Sequence, residues 1–321
     1  MKRLEAAEEG RYRAGLAGSV RAGLAALAAS GSALDAVQAA VLFMEDSGDF
    51  NAGDGACLDE EGNASLDAAL MRGSDLAAGA VGASSATRNP IVLCRHLLDE
   101  GKHVLLVATG ADRRARQLGL RPLSPLDERR KKVWRAMLEE RSKTGQEPTD
   151  RLAATSRPST RLSLQKDGVT EAESHDTVGA AAVDAEGRVA AAVSTGGLWL
   201  KAVGRVGDSA VVGGGLYASD ALGGAAVATG IGEKILRITL CRDAVDRLGR
   251  GATAQEAAEG AIAAITERFG ADTAGVIVVD RAGRVGAAFD TRGMGRAWAR
   301  GGPGGTAAVE TRVAVWKNEA F

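Results

Sequence analysis

The chain has 321 residues, 45% of them hydrophobic and 25% charged, the make-up of a soluble globular protein of one large or two small domains. Its formal net charge is −1 and it carries no long basic run, which argues against nucleic acid as a partner. Cys57, Cys94 and Cys241 are an odd, widely spaced set; they argue against a disulfide framework and a zinc site and read as buried reduced thiols in the cytoplasm.

Aromatic residues make up only 3%, so Ala, Val, Leu and Ile must build the core, and 43 glycines point to tight turns and close backbone approach. Residues 13–29 predict an amphipathic helix and not a signal peptide, because Arg21 interrupts the apolar run and Glu5, Glu8 and Glu9 precede it. No uninterrupted apolar stretch reaches the roughly 18 residues of a membrane span. Ser32, with Asp35 three residues on, predicts an N-cap opening a helix to about Glu45. Phe50-Asn-Ala-Gly-Asp-Gly55 reads as a loop and Cys57–Asp67 as a β-hairpin turning at Glu61-Gly62-Asn63. A strand follows near 78–83, then a helix after Pro90, a buried strand over His103–Ala108 and a short helix over Ala111–Leu118.

Residues 121–174 hold Pro122, Pro125, Pro148 and Pro158 among crowded charged and hydroxyl residues. A helix is expected near 126–142, then an exposed, mobile linker over about 143–174. Beyond it the pattern changes to hairpins: Thr177–Asp184 with Arg188–Ser194, and 274–280 with 284–290. Helices over 232–248 and 254–268 lie between them, and Ala307–Trp316 predicts a last strand. Blocks of helices and blocks of strands indicate α+β layering, with no solenoid repeat.

His175-Asp-Thr-Val-Gly179 sits where the polar segment meets an apolar strand. A threonine opening a strand is ordinarily no more than a good β-former. It becomes a nucleophile if the chain is cut before it, since the new α-amine then supplies the base. Three later motifs bear on that possibility. Ser194-Thr-Gly-Gly197 returns Thr195 toward the end of the sheet where Thr177 sits. Gly204-Arg-Val-Gly-Asp-Ser209 sets a guanidinium and a carboxylate three residues apart, suited to an α-carboxylate (Arg205) and an α-ammonium (Asp208). Ala228-Thr-Gly-Ile-Gly-Glu233 reads as a glycine-bearing turn into a helix, whose backbone N–H groups near Thr229 and Gly230 suit an oxyanion hole. Taken singly, the Arg205–Asp208 pair reads equally as a local salt bridge and Gly230-Ile-Gly232 as a plain helix entry. Neither GxxxxGKS nor GxxxxGKT occurs, which leaves nucleotide binding unsupported.

In this order the four motifs resemble the isoaspartyl peptidase/plant-type asparaginase family of N-terminal threonine nucleophile hydrolases. Gly31-Ser-Ala-Leu-Asp-Ala-Val37, Phe50-Asn-Ala-Gly-Asp-Gly55, Leu66-Asp-Ala68 and Ala78-Gly-Ala-Val81 are similar to that family's motifs in the first half, and the resemblance spans roughly residues 13–316. It implies a four-layer αββα sandwich, here lacking the family's usual opening strand that ends in His-Gly-Gly-Ala-Gly. It implies a single hydrolase domain, 1–321, that cuts itself between Asp176 and Thr177 into an α part (1–176) and a β part (177–321). Thr177 becomes the nucleophile and Thr195 its support. Arg205 and Asp208 grip the substrate's head group, Thr229 and Gly230 form the oxyanion hole, and Asn51 stands beside the catalytic threonine as support.

The implied substrates are L-asparagine and β-aspartyl dipeptides. No cofactor is required, and the resemblance puts a structural sodium ion on backbone carbonyls of about residues 44–52. His175 has no role in this scheme. The expected protein is a cytoplasmic homo-oligomer of processed units with a small-molecule substrate and neither nucleic acid nor membrane as partner. Two other readings stay open: a glycosylasparaginase-like hydrolase, for which Leu198-Trp-Leu200 leaves room, and an unprocessed, silent homologue that binds amino-acid ligands.

Overall fold

Small apolar residues at alternating positions decide how this chain layers. The computed structural model describes residues 6–126, 128–144, 177–301 and 310–321. The first half gives α1 (Ala6–Ser30), α2 (Ala33–Ser47), β1 (Leu66–Arg72), β2 (Ala78–Ser84), α3 (Pro90–Glu100), β3 (Leu105–Val107), α4 (Ala108–Gln117) and α5 (Glu128–Thr144). The second gives β4 (Val178–Val183), β5 (Val189–Thr195), β6 (Leu216–Ser219), β7 (Gly224–Gly230), α6 (Gly232–Ile238), α7 (Leu240–Gly249), α8 (Ala254–Phe269), β8 (Ala274–Asp280), β9 (Val285–Phe289), β10 (Gly293–Arg300) and β11 (Glu310–Trp316).

Local chemistry sets several boundaries as expected. The Ser32 hydroxyl accepts the Asp35 N–H and starts α2, and Gly48 ends it in the left-handed conformation, where a missing Cβ removes the steric penalty. β4 and β5 form the expected hairpin, with Val183 opposite Val189 across the turn.

Other expectations are corrected. Residues 57–67 make isolated bridges, Leu58 to Ala64 and Asp59 to Lys201, in place of the hairpin. Asp59 Oδ1 accepts the N–H groups of Glu61 and Asn63 and tightens the turn, while the chain from Leu66 onward pairs on both sides, with β2 and β5. The strand expected over 103–108 is three residues long and is not buried; it pairs only with β2, leaving Leu105 and Val107 exposed. The helix expected over 232–248 is two helices, broken at Thr239. Strands β6, β7 and β10 were not foreseen. The linker expected over 143–174 lies outside the described residues apart from its first two, which end α5.

The strands form a five-stranded sheet in the order β3-β2-β1-β5-β4, a four-stranded sheet β6-β7-β8-β9 and a β10-β11 pair. Every pairing is antiparallel except β2 with β3. Side chains alternate across a strand, so β1 and β5 feed two cores. Ala68, Leu70, Ala190 and Ala192 pack with residues of α2 and α3. Ala69, Met71, Ala191 and Val193 pack with the four-stranded sheet and residues of α7 and α8. β4 and β5 lie against β7, α7 and α8 cover the four-stranded sheet, and β10 and β11 pack on α1. The sheets meet closely: a Cβ on Gly179 would stand 3.1 Å from Val227 Cβ and from Val193 Cγ1.

The break at Thr239 carries strain. A β-branched residue at φ 51° and ψ 55° is disfavoured by about 1–3 kcal/mol. Thr239→Gly relieves it against a smaller loss of chain entropy, and the expected outcome is a gain of about 1 kcal/mol in urea unfolding. A lowered midpoint would contradict this account of the break.

Candidate active site

Thr177 stands just before β4, and the β4–β5 register, with Val178 opposite Ser194, brings it to the end of β5. Its hydroxyl donates to Thr195 Oγ1 at 3.2 Å. Thr195 Oγ1 also accepts the Gly197 N–H at 3.0 Å, which fixes one lone pair and leaves the rest of that hydroxyl for Thr177.

The glycine pair after Thr195 exists because the Asn51 loop packs directly on it. A Cβ on Gly196 would crowd Asn51 Oδ1, Ala56 Cβ and the Cys57 nitrogen, and Gly197 holds φ 75°. Asn51, 6% exposed, donates from Nδ2 to the Gly197 carbonyl (2.7 Å) and accepts the Cys57 N–H at Oδ1 (2.8 Å). Its own carbonyl accepts the Gly196 N–H at 2.9 Å. Asn51 therefore holds the loop that carries Thr195, and among the described residues its side chain bonds neither threonine hydroxyl.

The Arg205–Asp208 pair is no local salt bridge. Arg205 is ion-paired with Glu233, Nε donating to Oε1 at 2.9 Å. Asp208 is 5% exposed, and its Oδ2 has no hydrogen-bond partner among the described residues. Burial pushes the Asp208 carboxyl up to about 7, against the pull of the Arg205 guanidinium. The two groups converge on Gly232: a Cβ there would lie 2.7 Å from Asp208 Oδ1 and 2.9 Å from Arg205 Nη2. A cation and a carboxylate on either side of an absent side chain can hold a carboxylate and an ammonium together.

Asp67 anchors this loop. It is fully buried in β1, opposite Thr195, and accepts the Gly207 N–H at Oδ2 and the Ala83 N–H at Oδ1, each at 2.8 Å. Lys201, also fully buried, donates to the carbonyls of Ser65 (2.6 Å) and Gly196 (2.8 Å). Asp67, Lys201 and Glu233 were given no role from the sequence. The signal for Lys201 was a lone charge inside the apolar run Leu198–Val203; Asp67 and Glu233 lay inside recognised motifs.

Thr229 and Gly230 do not form a helix-entry turn. They end β7, paired with Gly275 and Ala274, and α6 starts only at Gly232. Thr229 Oγ1 is buried without a partner among the described residues, and Gly230 at φ 139° has no space for a Cβ against the Thr273 carbonyl. His175 and Asp176 lie outside the described residues. Among the described residues no His/Cys/Asp/Glu group could hold a metal ion, all three cysteines are buried and outside any disulfide, and no helix is long and apolar enough to cross a membrane.

The α+β frame thus brings a pair of threonine hydroxyls and a cation–carboxylate pair to neighbouring loops. The model of the asparaginase family matches residues 1–308, and the chain belongs to that family. It is 41% identical to the plant-type L-asparaginase of Thermococcus kodakarensis, over 84% of each chain. It is 37% identical to the isoaspartyl peptidase/L-asparaginase of Xenopus laevis, over 90% of this chain and 85% of the relative, and 37% identical to the Bos taurus protein of the same name, over 78% and 75%.

Asn51→Ala leaves the Cys57 N–H and the Gly197 carbonyl buried and unpaired. It is expected to destabilise the protein by about 2–4 kcal/mol, read from urea unfolding. A change under about 0.5 kcal/mol would mean that Asn51 does not hold the loop.

Proposed function

We propose that this chain is a self-cleaving threonine amidohydrolase that hydrolyses L-asparagine and β-aspartyl dipeptides. The observation that carries the reading is the Thr177–Thr195 hydroxyl pair, linked by one short loop to the Arg205/Asp208 seat. The names of the relatives from Thermococcus kodakarensis and Xenopus laevis support the substrate class. The frame is a four-layer αββα sandwich of the N-terminal nucleophile type; α2 and α3 on one sheet, and α7 and α8 on the other, support it.

Cleavage of the Asp176–Thr177 bond turns one domain into an α part and a β part and frees the Thr177 α-amine. That amine titrates at about 7.7–8.0 when unperturbed and takes the hydroxyl proton as Thr177 Oγ1 attacks the substrate's side-chain amide carbon. Arg205 holds the α-carboxylate and Asp208 the α-ammonium. Thr229 and Gly230 stabilise the oxyanion, a role supported by the unpartnered Thr229 hydroxyl. Ammonia or an α-amino acid leaves, and water then hydrolyses the β-aspartyl ester on Thr177. Trp199 is 4% exposed and packs in a small cluster with Leu58 and Leu66, which weakens the glycosylasparaginase reading that rested on it.

A Cβ on Gly53 would run into the Glu45 carbonyl, and one on Gly55 into the carbonyls of Phe50 and Gly48. Such an oxygen set fits a structural sodium ion, which would order this turn and take no part in turnover. The exposed Val104, Leu105 and Val107 at the β3 edge support a homo-oligomer of processed units. The cytoplasm is the expected location.

Denaturing electrophoresis should show two chains in place of one, with Thr177 at the new N-terminus by Edman sequencing, and the purified protein should release ammonia from asparagine. Thr177→Ala should abolish both. A single full-length band after prolonged incubation, with no ammonia released, would remove the proposal.

A second expectation concerns pH. Asp208 must be ionised to hold an ammonium, and its carboxyl is raised to about 7. Affinity for L-aspartate, measured by calorimetry, should therefore weaken up to about tenfold per pH unit below 7 and level off above it. The dependence should vanish in Asp208→Asn. An equal pH dependence in that variant would assign the titration to another group.

A further inference from the structure

We propose that Lys201 is a positioning residue for the nucleophile: its ammonium locks the Gly196–Gly197 peptide so that the N–H aims at Thr195. The proposal rests on the threonine amidohydrolase reading.

Lys201 is the largest of the fully buried side chains. Burying an ammonium is among the most unfavourable placements in a fold unless its hydrogens are used. Among the described residues it makes no ion pair. Two of its three hydrogens go to backbone carbonyls, Ser65 at 2.6 Å and Gly196 at 2.8 Å. Those carbonyls lie just past the last pair of the β1–β5 ladder, Asp67 with Thr195. The ammonium thus ties the two strand ends together where the ladder stops.

All four backbone groups of the glycine pair are accounted for. The Gly196 N–H goes to the Asn51 carbonyl, the Gly196 carbonyl to Lys201, the Gly197 N–H to Thr195 Oγ1 and the Gly197 carbonyl to Asn51 Nδ2. The Gly196 carbonyl and the Gly197 N–H belong to one planar peptide unit and point in opposite directions. Holding the carbonyl against Lys201 therefore sets where the N–H points. Without that hold, a peptide between two glycines is free to rotate, since neither residue has a Cβ to oppose it.

The N–H is the step that reaches the chemistry. It occupies one lone pair of Thr195 Oγ1, and the Thr177 hydroxyl lies 3.2 Å from the same oxygen. The Arg205/Asp208 loop has holds of its own, Glu233 on Arg205 and Asp67 on Gly207. Loss of Lys201 should therefore disturb the attack more than substrate binding.

The experiment is a double-mutant cycle on processed enzyme, with rates normalised to the chain beginning at Thr177 and asparagine as substrate. Lys201→Met is expected to lower kcat about tenfold to a hundredfold with KM within about threefold. In a Thr195→Val background, where the N–H has no hydroxyl to aim at, Lys201→Met should lower kcat by no more than about twofold further. A full penalty retained in that background, an unchanged kcat in the single variant, or an effect confined to KM would each overturn the proposal. If Lys201→Met does not fold, Lys201→Gln, which keeps a neutral donor, carries the same cycle: its smaller loss in kcat should likewise disappear with Thr195→Val, and persistence would overturn the proposal.

Hydrogen exchange at the Gly197 amide separates this proposal from the functional reading. A wild-type protein that releases no ammonia defeats the amidohydrolase reading. The lock is then judged by the amide alone, expected to exchange at least about tenfold faster in the Lys201 variant than in the wild type. Equal exchange in both would overturn it.

Discussion

The ladder between β1 and β5 is the constraint on which the rest of this site depends. It joins a strand from before residue 176 to one from after it, and its outermost pair is Asp67 with Thr195. From Thr195 the hydroxyl reaches Thr177. From Asp67 the carboxylate reaches the backbone of the loop bearing Arg205 and Asp208. One register therefore places the two threonine hydroxyls and the loop of Arg205 and Asp208 together. A slip of β1 by one residue would exchange its two faces. Ala68 and Leu70 would leave the core under α2 and α3, and Ala69 and Met71 the core between the sheets. With both faces buried, no alternative register keeps either core, so the site inherits its precision from hydrophobic packing some distance away.

The sequence was most legible where chemistry and local geometry coincide. Ser32 and Asp35 made a cap, Ala185-Glu186-Gly187 made a hairpin turn, and the ordered motifs around Thr177, Thr195, Arg205 and Asp208 led to residues that the fold does bring together. It was least legible where small residues stand in for β-formers. β7 is Gly-Ala-Ala-Val-Ala-Thr-Gly, with little β-propensity of its own; packing between β6 and β8 makes it a strand. Thr229 and Gly230 consequently looked like the approach to a helix when they are the end of a sheet. The reverse error occurred at residues 57–67, where the turn signal Glu61-Gly62-Asn63 suggested a hairpin, but the strand beginning at Leu66 takes its two partners elsewhere in the sheet.

The same small residues explain how two sheets come close enough to share a site. Ala190, Ala191 and Ala192 in β5, and Ala225 and Ala226 in β7, are fully or almost fully buried. Gly179 admits Val227 with little room to spare. A chain with 3% aromatics gains less from each buried side chain, and it offsets this through close backbone approach on two faces. That approach leaves glycine as the residue that fits at Gly196 and Gly232, where the loop lies on Asn51 and where Arg205 and Asp208 face one another.

The charges of the seat follow from the same geometry. Glu233 takes the Nε and Nη2 side of the Arg205 guanidinium at Oε1 and holds its plane. Asp208 is left with a buried oxygen that has no partner among the described residues. Burying a carboxylate oxygen without a partner is unfavourable, and the raised Asp208 carboxyl is the expression of that cost. A ligand carrying only a carboxylate would meet Arg205 and leave Asp208 unsatisfied; a ligand carrying only an ammonium would leave the guanidinium with Glu233 alone. A zwitterion completes both at once. On the proposed reading, discrimination therefore comes as much from what an incomplete ligand leaves unpaired as from what the right one binds.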